Sequence, residues 1–300
     1  MTTYDCVIVG GGPAGLTAGI YLARAGLKAL ILEKETIGGQ IASAPSVQNY
    51  PGFSEISGAE LANNMYTQIE ELGVELEIET VVGIQNGDEK KVVTEEAEYV
   101  AKTVIIATGA KHRQLGLDVQ KKYLGNGVHY CVSCDGAFYK DKTVAVVGGA
   151  NSAVGNALYL ADIAAKVYLI YRGETLKCEK ELEKKLREKS NIELLLNTTV
   201  KSFNGKETLE SITINTQKQE RELTLGGLFE SIGMDAQTEL VNDLLEKNAA
   251  NYIVSTDCKT SIPGIFVAGD CREKDLRQLT TATADGSIAA NYVIKYLKTK

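Results

Sequence analysis

Two cysteines separated by two residues and followed by an acid, CVSCD at Cys131–Asp135, are the residues of this 300-residue chain best suited to covalent chemistry. Thiols at that spacing lie about one helical turn apart, which suits either half of a zinc site or a redox dithiol. Zinc would need two further ligands. Cys178, Cys258 and Cys271 are isolated, and the two histidines, His112 and His129, form no second ligand pair, so no metal is expected. A redox couple fits, with Asp135 placed to hand a proton to a leaving thiolate. The bland alternative is two core cysteines beside a surface acid. His112 and His129 read as packing or surface residues, and Cys6 with the three isolated cysteines as small core hydrophobes.

The second chemical signal is a pair of glycine-rich turns, YDCVIVGGGPAG at Tyr4–Gly15 and KTVAVVGGANSA at Lys142–Ala153. In the first, Gly10, Gly12 and Gly15 spell G-x-G-x-x-G: a tight turn, a close approach to a pyrophosphate, and a close helix–strand contact. The helix that follows aims its N-terminal amides at the phosphates. Glu33, about 20 residues on at the end of the next strand, can hydrogen-bond a ribose hydroxyl. A bound dinucleotide is expected here. The second turn reads Gly148, Ala150, Ala153, with a methyl group at Ala150 where backbone would lie against a pyrophosphate.

The elements that position these residues repeat. Each turn is followed by a helix-length segment and another strand, KALILEK at Lys28–Lys34 and KVYLIYR at Lys166–Arg172. Strands alternating with helices predict an α/β fold of two Rossmann-like (three-layer ββα) nucleotide-binding domains. A β-rich piece follows each unit: VELEIET, KKVVTEE and YVAKTVIIATGA, then NIELLLNTTV, LESITINT and ELTLGGLFESIG. GIFVAGD reads as one more buried strand, ahead of a C-terminal helix from Leu279 to about Leu297. Its chemistry is that of the first domain, which is therefore expected to be discontinuous, residues 1–114 and 246–300 around a second domain of 115–245.

Composition bounds the rest. Hydrophobic content of 44% and charged content of 24% are those of a soluble globular protein. A net charge of −7 argues against nucleic acid as a partner. No apolar run approaches the roughly 18 residues needed to span a membrane. MTTYDCVIVGGG enters a strand without a basic segment and apolar h-region, so no secretory signal is read and a cytoplasmic location is expected. There the cysteines would not form structural disulfides.

Six stretches together resemble the low-molecular-weight thioredoxin reductase family of flavoproteins over essentially the whole chain. They are GGGPAGLTAGIYLARAG (Gly10–Gly26), GGQ (Gly38–Gln40), NYPGF (Asn49–Phe53), ATGA (Ala107–Ala110), CVSCDGAFY (Cys131–Tyr139) and GIFVAGDCREKDLRQLTTATADG (Gly264–Gly286). The resemblance implies FAD in the discontinuous domain. It assigns cofactor binding to Gly10, Gly12, Pro13, Ala14, Gly15, Glu33, Lys34, Gly39, Gln40, Asn49, Thr108, Gly109, Gly269, Asp270, Arg277, Gln278 and Leu279. Glu33 would meet the adenosine ribose, Asp270 the ribityl chain, and Gln278 with Leu279 the isoalloxazine. It further implies a redox-active disulfide in which Cys134 faces the flavin in a charge-transfer contact, Cys131 attacks the thioredoxin disulfide and Asp135 donates the proton. Family members are homodimers whose cysteine domain swings between flavin and partner.

The family's NADPH site is the least matched part. Acids usual in the helix after the second glycine turn are Gly155 and Asn156. The usual His-Arg-Arg cluster and further Arg become Tyr171, Arg172, Gly173 and Lys177, and a Pro-Asn pair becomes Ala236-Gln237. Lysine does not replace the planar fork of arginine. Three donors follow: NADH with Glu174 on the ribose, NADPH through weakened contacts, or reduced ferredoxin, as in a related branch with eroded nucleotide motifs. The ferredoxin reading is favoured, with Lys140, Lys142 and the segment Glu179–Lys189 as candidate docking cations for an acidic partner. That segment also reads as an ordinary solvated helix. A dithiol oxidase passing electrons to oxygen and a redox sensor are the rival classes.

Overall fold

The computed structural model describes residues 3–299. They fall into two compact units, residues 1–111 with 235–300 and residues 112–234. The first opens with β1 (Thr3–Val9), α1 (Pro13–Arg24), β2 (Ala29–Glu33), α2 (Gly58–Glu71) and β3 (Glu75–Ile78). It continues through β4 (Val81–Gln85), β5 (Lys90–Thr94), β6 (Glu98–Ile106) and β7 (Ala110–His112). The second holds α3 (Gln120–Tyr123), β8 (Val128–His129), α4 (Val132–Asp135), β9 (Thr143–Val147), α5 (Asn151–Ala161), β10 (Lys166–Ile170) and α6 (Lys180–Glu188). After it come β11 (Ile192–Leu195), β12 (Thr198–Asn204), β13 (Ser211–Thr216), β14 (Gln219–Thr224) and β15 (Gly227–Glu230). The chain then returns through β16 (Met234–Ala236), β17 (Ile265–Val267) and α7 (Leu279–Lys298).

The first sheet runs β3-β2-β1-β6, and β6 is shared. Its first half pairs antiparallel with β5, Lys90↔Ala101 to Val93↔Glu98. Its second half pairs in parallel with β17, Ile265↔Val104 to Val267↔Ile106. Strands covered on both faces read as continuous apolar runs, as CVIV in β1 and ALIL in β2 do. On one face α1 and α7 contribute Leu16, Ala18, Leu22, Ala289 and Val293. The opposite face is closed by Val92, Val241, Leu245 and Ile253. Glycine is required where α1 meets β1: Gly10 has φ +115°, and a Cβ on Gly15 would stand 1.9 Å from the Gly10 carbonyl oxygen.

The second unit is a parallel sheet, β11-β10-β9-β15-β8, with an antiparallel β12-β13-β14 layer against one face. Alternation along β9 sorts the faces. Ala145 and Val147 turn toward the antiparallel layer, Val144 and Val146 toward α5. Val132 and Tyr139 belong to that helix-side core with Leu160 and Phe229, which fixes the cysteine segment to it.

Both architectures match the expected α/β class. The second crossing lies at Met234/Asp235 instead of near Glu246, because Val241 and Leu245 pack with Val7 and Leu30 of the first sheet. The first crossing falls at Lys111/His112 instead of Gln114. No helix among the described residues is long and apolar enough to cross a membrane.

One buried acid is under-satisfied. Glu230, 2% exposed, accepts hydrogen bonds at Oε2 from the Leu115 amide (3.3 Å) and Gln120 Nε2 (2.9 Å), while Oε1 has no hydrogen-bond partner. Burial pushes its carboxyl up from 4.5 to about 7. Below pH 4.5 the group is protonated in both folded and unfolded chains and costs nothing. As pH rises through 7 the fold must hold a buried carboxylate, a loss of about 3 kcal/mol at ~1.36 kcal/mol per pH unit. Glu230→Gln is therefore expected to raise the urea midpoint at pH 8 and to lose that advantage by about pH 4.5; a gain independent of pH would contradict the assignment.

Candidate functional site

In the first unit the glycine turn and Glu33 form one structure. Glu33, 8% exposed, accepts the Gly11 amide at Oε2 (2.7 Å) and the Glu35 amide at Oε1 (2.8 Å). Each oxygen keeps a second lone pair for a sugar hydroxyl. Pro13 is at the first turn of α1, where its missing N–H costs nothing, and Gly12 is the N-cap, with no side chain placed to satisfy the amides behind it. A Cβ on Gly12 would meet nothing within 4 Å, whereas Ala14 is buried against Gly269. The turn is an open, amide-lined cradle for an anion.

The C-terminal segment adds an acceptor. Asp270 follows β17 in a 3₁₀ turn, Gly269–Cys271. Its buried Oδ1 has no hydrogen-bond partner, although Lys274 Nζ makes an ionic contact at 3.3 Å that lacks hydrogen-bond geometry. Burial pushes the Asp270 carboxyl up. A buried acceptor left unmade costs about 1–3 kcal/mol, so a ligand hydroxyl would be welcome there. The turn is held by Asp285 from α7, 3% exposed, which accepts from the Gly269 amide (3.0 Å), Lys274 Nζ (3.0 Å) and Arg272 through Nε (2.8 Å) and Nη2 (2.7 Å). Burial pushes the Asp285 carboxyl up, but Arg272 and Lys274 outweigh it and hold it below the usual carboxylate range.

The remaining expected contacts are held in place by neighbours within the same unit. Gln278 caps α7 in a reciprocal capping box with Thr281, immediately ahead of Leu279, and accepts from Asn49 Nδ2 (3.3 Å). Gln40, after Gly39 in the 3₁₀ turn Gly39–Ser43, donates to the Ala110 carbonyl, and Thr108, next to Gly109, donates to the Gln237 carbonyl. Arg277 stacks over Tyr252, 3.8 Å from the ring centre. Lys34 is exposed and pairs with Glu35 (3.8 Å). A dinucleotide with a polyol chain fits this set: Gly10–Gly15 would hold the pyrophosphate, Glu33 the ribose, and Asp270 a polyol hydroxyl.

In the second unit Cys131 and Cys134 are joined as a disulfide with Cα atoms 5.2 Å apart, Cys131 serving as N-cap of α4. Asp135 closes that turn, its amide donating to the Cys131 carbonyl (3.0 Å). Its carboxylate Oδ2 lies 3.2 Å from His129 Nδ1, and His129 Nε2 lies 2.6 Å from the Tyr139 hydroxyl. His129, 8% exposed, is thus a partner of the acid and not a plain packing residue. The sequence hides this because the histidine and the acid are brought together only when β8 pairs with β15 and α4 folds back. His112 stacks on Tyr130, ring centres 4.5 Å apart.

The second glycine turn differs from the first. Gly10 N donates to Leu32 O, and Gly148 N donates to Ile170 O, so the two turns share a register and Tyr171 stands where Glu33 stands. Its ring lies flat against the turn: a Cβ on Gly149 would fall 2.4 Å from ring carbons, and one on Gly173 within 2.7 Å. Lys177 N donates to Gly149 O (2.7 Å), and Asn151 and Glu179 exchange two hydrogen bonds at the start of α5 (2.9 and 3.0 Å). Asn156 is spent on Ser231 Oγ (2.8 Å). Glu174, considered above for a ribose, lies beyond the equivalent position. Two of the four cations of α6 are paired locally, Lys185 with Glu181 (2.9 Å) and Arg187 with Glu183 (2.5 Å), and Lys142 sits over the Tyr139 ring.

The family model described as pyridine nucleotide-disulphide oxidoreductase matches residues 4–286. The chain is 40% identical over 298 residues to a 34.2 kDa protein in the rubredoxin operon of Clostridium pasteurianum, covering 98% of this chain and 97% of that one. It is 40% identical over 300 residues to thioredoxin reductase of Bacillus subtilis (strain 168), covering 98% and 95%. The crystal structure of thioredoxin reductase from Streptococcus pyogenes MGAS5005 superposes with a TM-score of 0.96 at 42% identity, over 99% of each chain.

Asp285 was not legible as a site residue. Its one signal is a charge among small residues, TATADGSIAA. Replacing it by Asn leaves the largely buried Arg272 without its counter-ion and Lys274 with Asp270 alone, so Asp285→Asn is expected to lose about 3 kcal/mol in denaturant unfolding. The purified variant should also carry less bound dinucleotide by absorbance, and full stability with full occupancy would rule this role out.

Proposed function

The chain belongs to the pyridine nucleotide-disulphide oxidoreductase family, as a low-molecular-weight thioredoxin reductase that binds FAD, and we propose that reduced ferredoxin is its electron donor. The observation that carries this reading is Tyr171, which stands at the register position of Glu33 and lays its ring on Gly149. A nucleotide needs that turn as bare amide backbone, and ring, Lys177 and Glu179 face it instead. Glu179 also brings a carboxylate to the helix start where a phosphate would bind, and like charges compete there. Of the cations that would hold a 2′-phosphate, Arg172 and Lys177 remain, which keeps NADPH as the second reading.

Energetics agree. Low-potential plant-type ferredoxins lie near about −400 mV and thioredoxin near about −270 mV. The difference of ~130 mV is worth about 6 kcal/mol for two electrons, at roughly 1.4 kcal/mol per 30 mV. FAD, when bound, accepts electrons one at a time and delivers them in pairs. This chain's residues do the rest. Gly10–Gly15, Glu33 and Asp270 would hold the cofactor. Cys131 attacks the thioredoxin disulfide, Cys134 resolves the mixed disulfide, and Asp135 supplies a proton to the thiolate that leaves. The homodimer implied by the resemblance belongs to the same reading.

Anaerobic mixing of the oxidised protein with NADPH, NADH or reduced ferredoxin is expected to bleach the flavin band with ferredoxin alone; rapid bleaching by NADPH would falsify the proposal. Cys134→Ser should abolish thioredoxin reduction with FAD still bound. Oxygen uptake with a dithiol substrate and no ferredoxin would instead mark an oxidase.

A further inference from the structure

Partly exposed Asp135 is backed by two buried polar groups, His129 and the Tyr139 hydroxyl, with Asp135 Oδ2, the imidazole and the phenol joined at 3.2 and 2.6 Å. Only the first belongs to the cysteine motif as a chemical group. The other two are set apart from it by elements: His129 is on β8 and Tyr139 ends the 3₁₀ turn Gly136–Tyr139.

The hydrogen bonds assign the protons. Burial, with Asp135 nearby, pushes the Tyr139 phenol up to about 12, so it stays an O–H at any working pH. It donates to His129 Nε2, which leaves Nδ1 as the N–H that donates to Asp135. A tyrosine hydroxyl is also an acceptor, so if Nε2 takes a proton the hydroxyl turns and accepts from it. Both imidazole nitrogens therefore keep a hydrogen-bond partner in either charge state. Phe229 on β15 stacks on the imidazole at 5.4 Å, and Lys142 lies over the Tyr139 ring at 5.4 Å, on the ring and not on the imidazole. Glu230, next along β15, is bonded to Leu115 and Gln120, and Tyr130, next along β8, lies near Gln120 Nε2 at 3.5 Å. His129 itself is enclosed, its side chain 7% exposed.

We propose that His129 is a positioning residue that holds the proton for Asp135 during thiol–disulfide exchange, with Tyr139 as its switchable partner. The inference rests on the reductase reading above. In the exchange, the Cys131 thiol gives its proton to the Asp135–His129 pair and its sulfur attacks the substrate disulfide. One S–S bond breaks as another forms, and the departing thiolate takes the proton back through Asp135. The Cys134 thiol repeats the step on the mixed disulfide. Two thiols become the Cys131–Cys134 disulfide, the substrate disulfide becomes two thiols, and protons and electrons balance with no further reagent. An alkyl thiolate needs that proton. An aryl thiolate of low pKa leaves without it.

The test uses holoenzyme reduced chemically under argon, mixed with oxidised thioredoxin, with hydroxyethyl disulfide, and with the aryl disulfide dithiobis(nitrobenzoate). His129→Gln keeps polar atoms near Asp135 and Tyr139 but cannot carry a proton. It is expected to lower the alkyl-to-aryl rate ratio by about a hundredfold, the lower end of what general acid–base catalysis contributes. Tyr139→Phe, which keeps the ring packing, should lower the same ratio by less, and added imidazole should restore it in His129→Gly. Equal slowing with both small disulfides, or none, overturns the proposal. Wild-type protein that reacts with the small disulfides but not with thioredoxin overturns the reductase reading and leaves the ratio to judge His129.

Discussion

Much of this molecule follows from how amides at a strand-to-helix turn find acceptors. A turn of this kind presents several N–H groups that its own helix cannot use. In the first unit Glu33 takes the Gly11 amide from the side and leaves the space beyond Gly12 open. The second unit has the same strand register and the same turn onto a helix, but the residue at the Glu33 position is an aromatic one. Its ring lies against Gly149, the Lys177 amide donates to the Gly149 carbonyl, and Asn151 and Glu179 exchange two hydrogen bonds at the start of the helix. One fold is thus built twice, with a carboxylate beside the turn in the first unit and an aromatic ring beside it, together with the disulfide, in the second.

The sequence was most informative where chemistry and periodicity coincide. CVSCD and the G-x-G-x-x-G turn name their residues outright, and the doubled strand–turn–helix–strand pattern carries the α/β class. It was least informative for polar pairs closed by topology. His129 meets Asp135 because β8 is the edge strand beside β15, and Glu230 meets Leu115 and Gln120 for the same reason. Asp285 lies in the middle of a helix, and its partners Arg272 and Lys274 come from the loop before that helix. The misplaced second boundary has a similar origin. Residues 235–245 look like the tail of the inserted unit in sequence, yet Val241 and Leu245 complete the core under β1 and β2.

Three carboxyl groups are treated differently, and each treatment fits its surroundings. Asp285 is given two cations and an amide, so it stays ionised and ties α7 to the turn of Asp270. Glu230 is given two amide-type donors and no cation, so its proton is held to near neutrality. Asp135, partly exposed, is given an imidazole backed by a phenol. Uncompensated burial is costly, so groups kept this way are the ones whose protonation matters to structure or to chemistry.

The sharing of β6 has a consequence for how the chain emerges from synthesis. The parallel sheet of the first unit lacks its β17 neighbour until residue 265 has been made, although β6 ends at Ile106. The inserted unit, by contrast, draws all five strands of its parallel sheet from residues 128–230. Contacts between nearby segments close faster than those across a long loop. On the ribosome, then, the middle of the polypeptide can finish folding while its beginning still waits for its end.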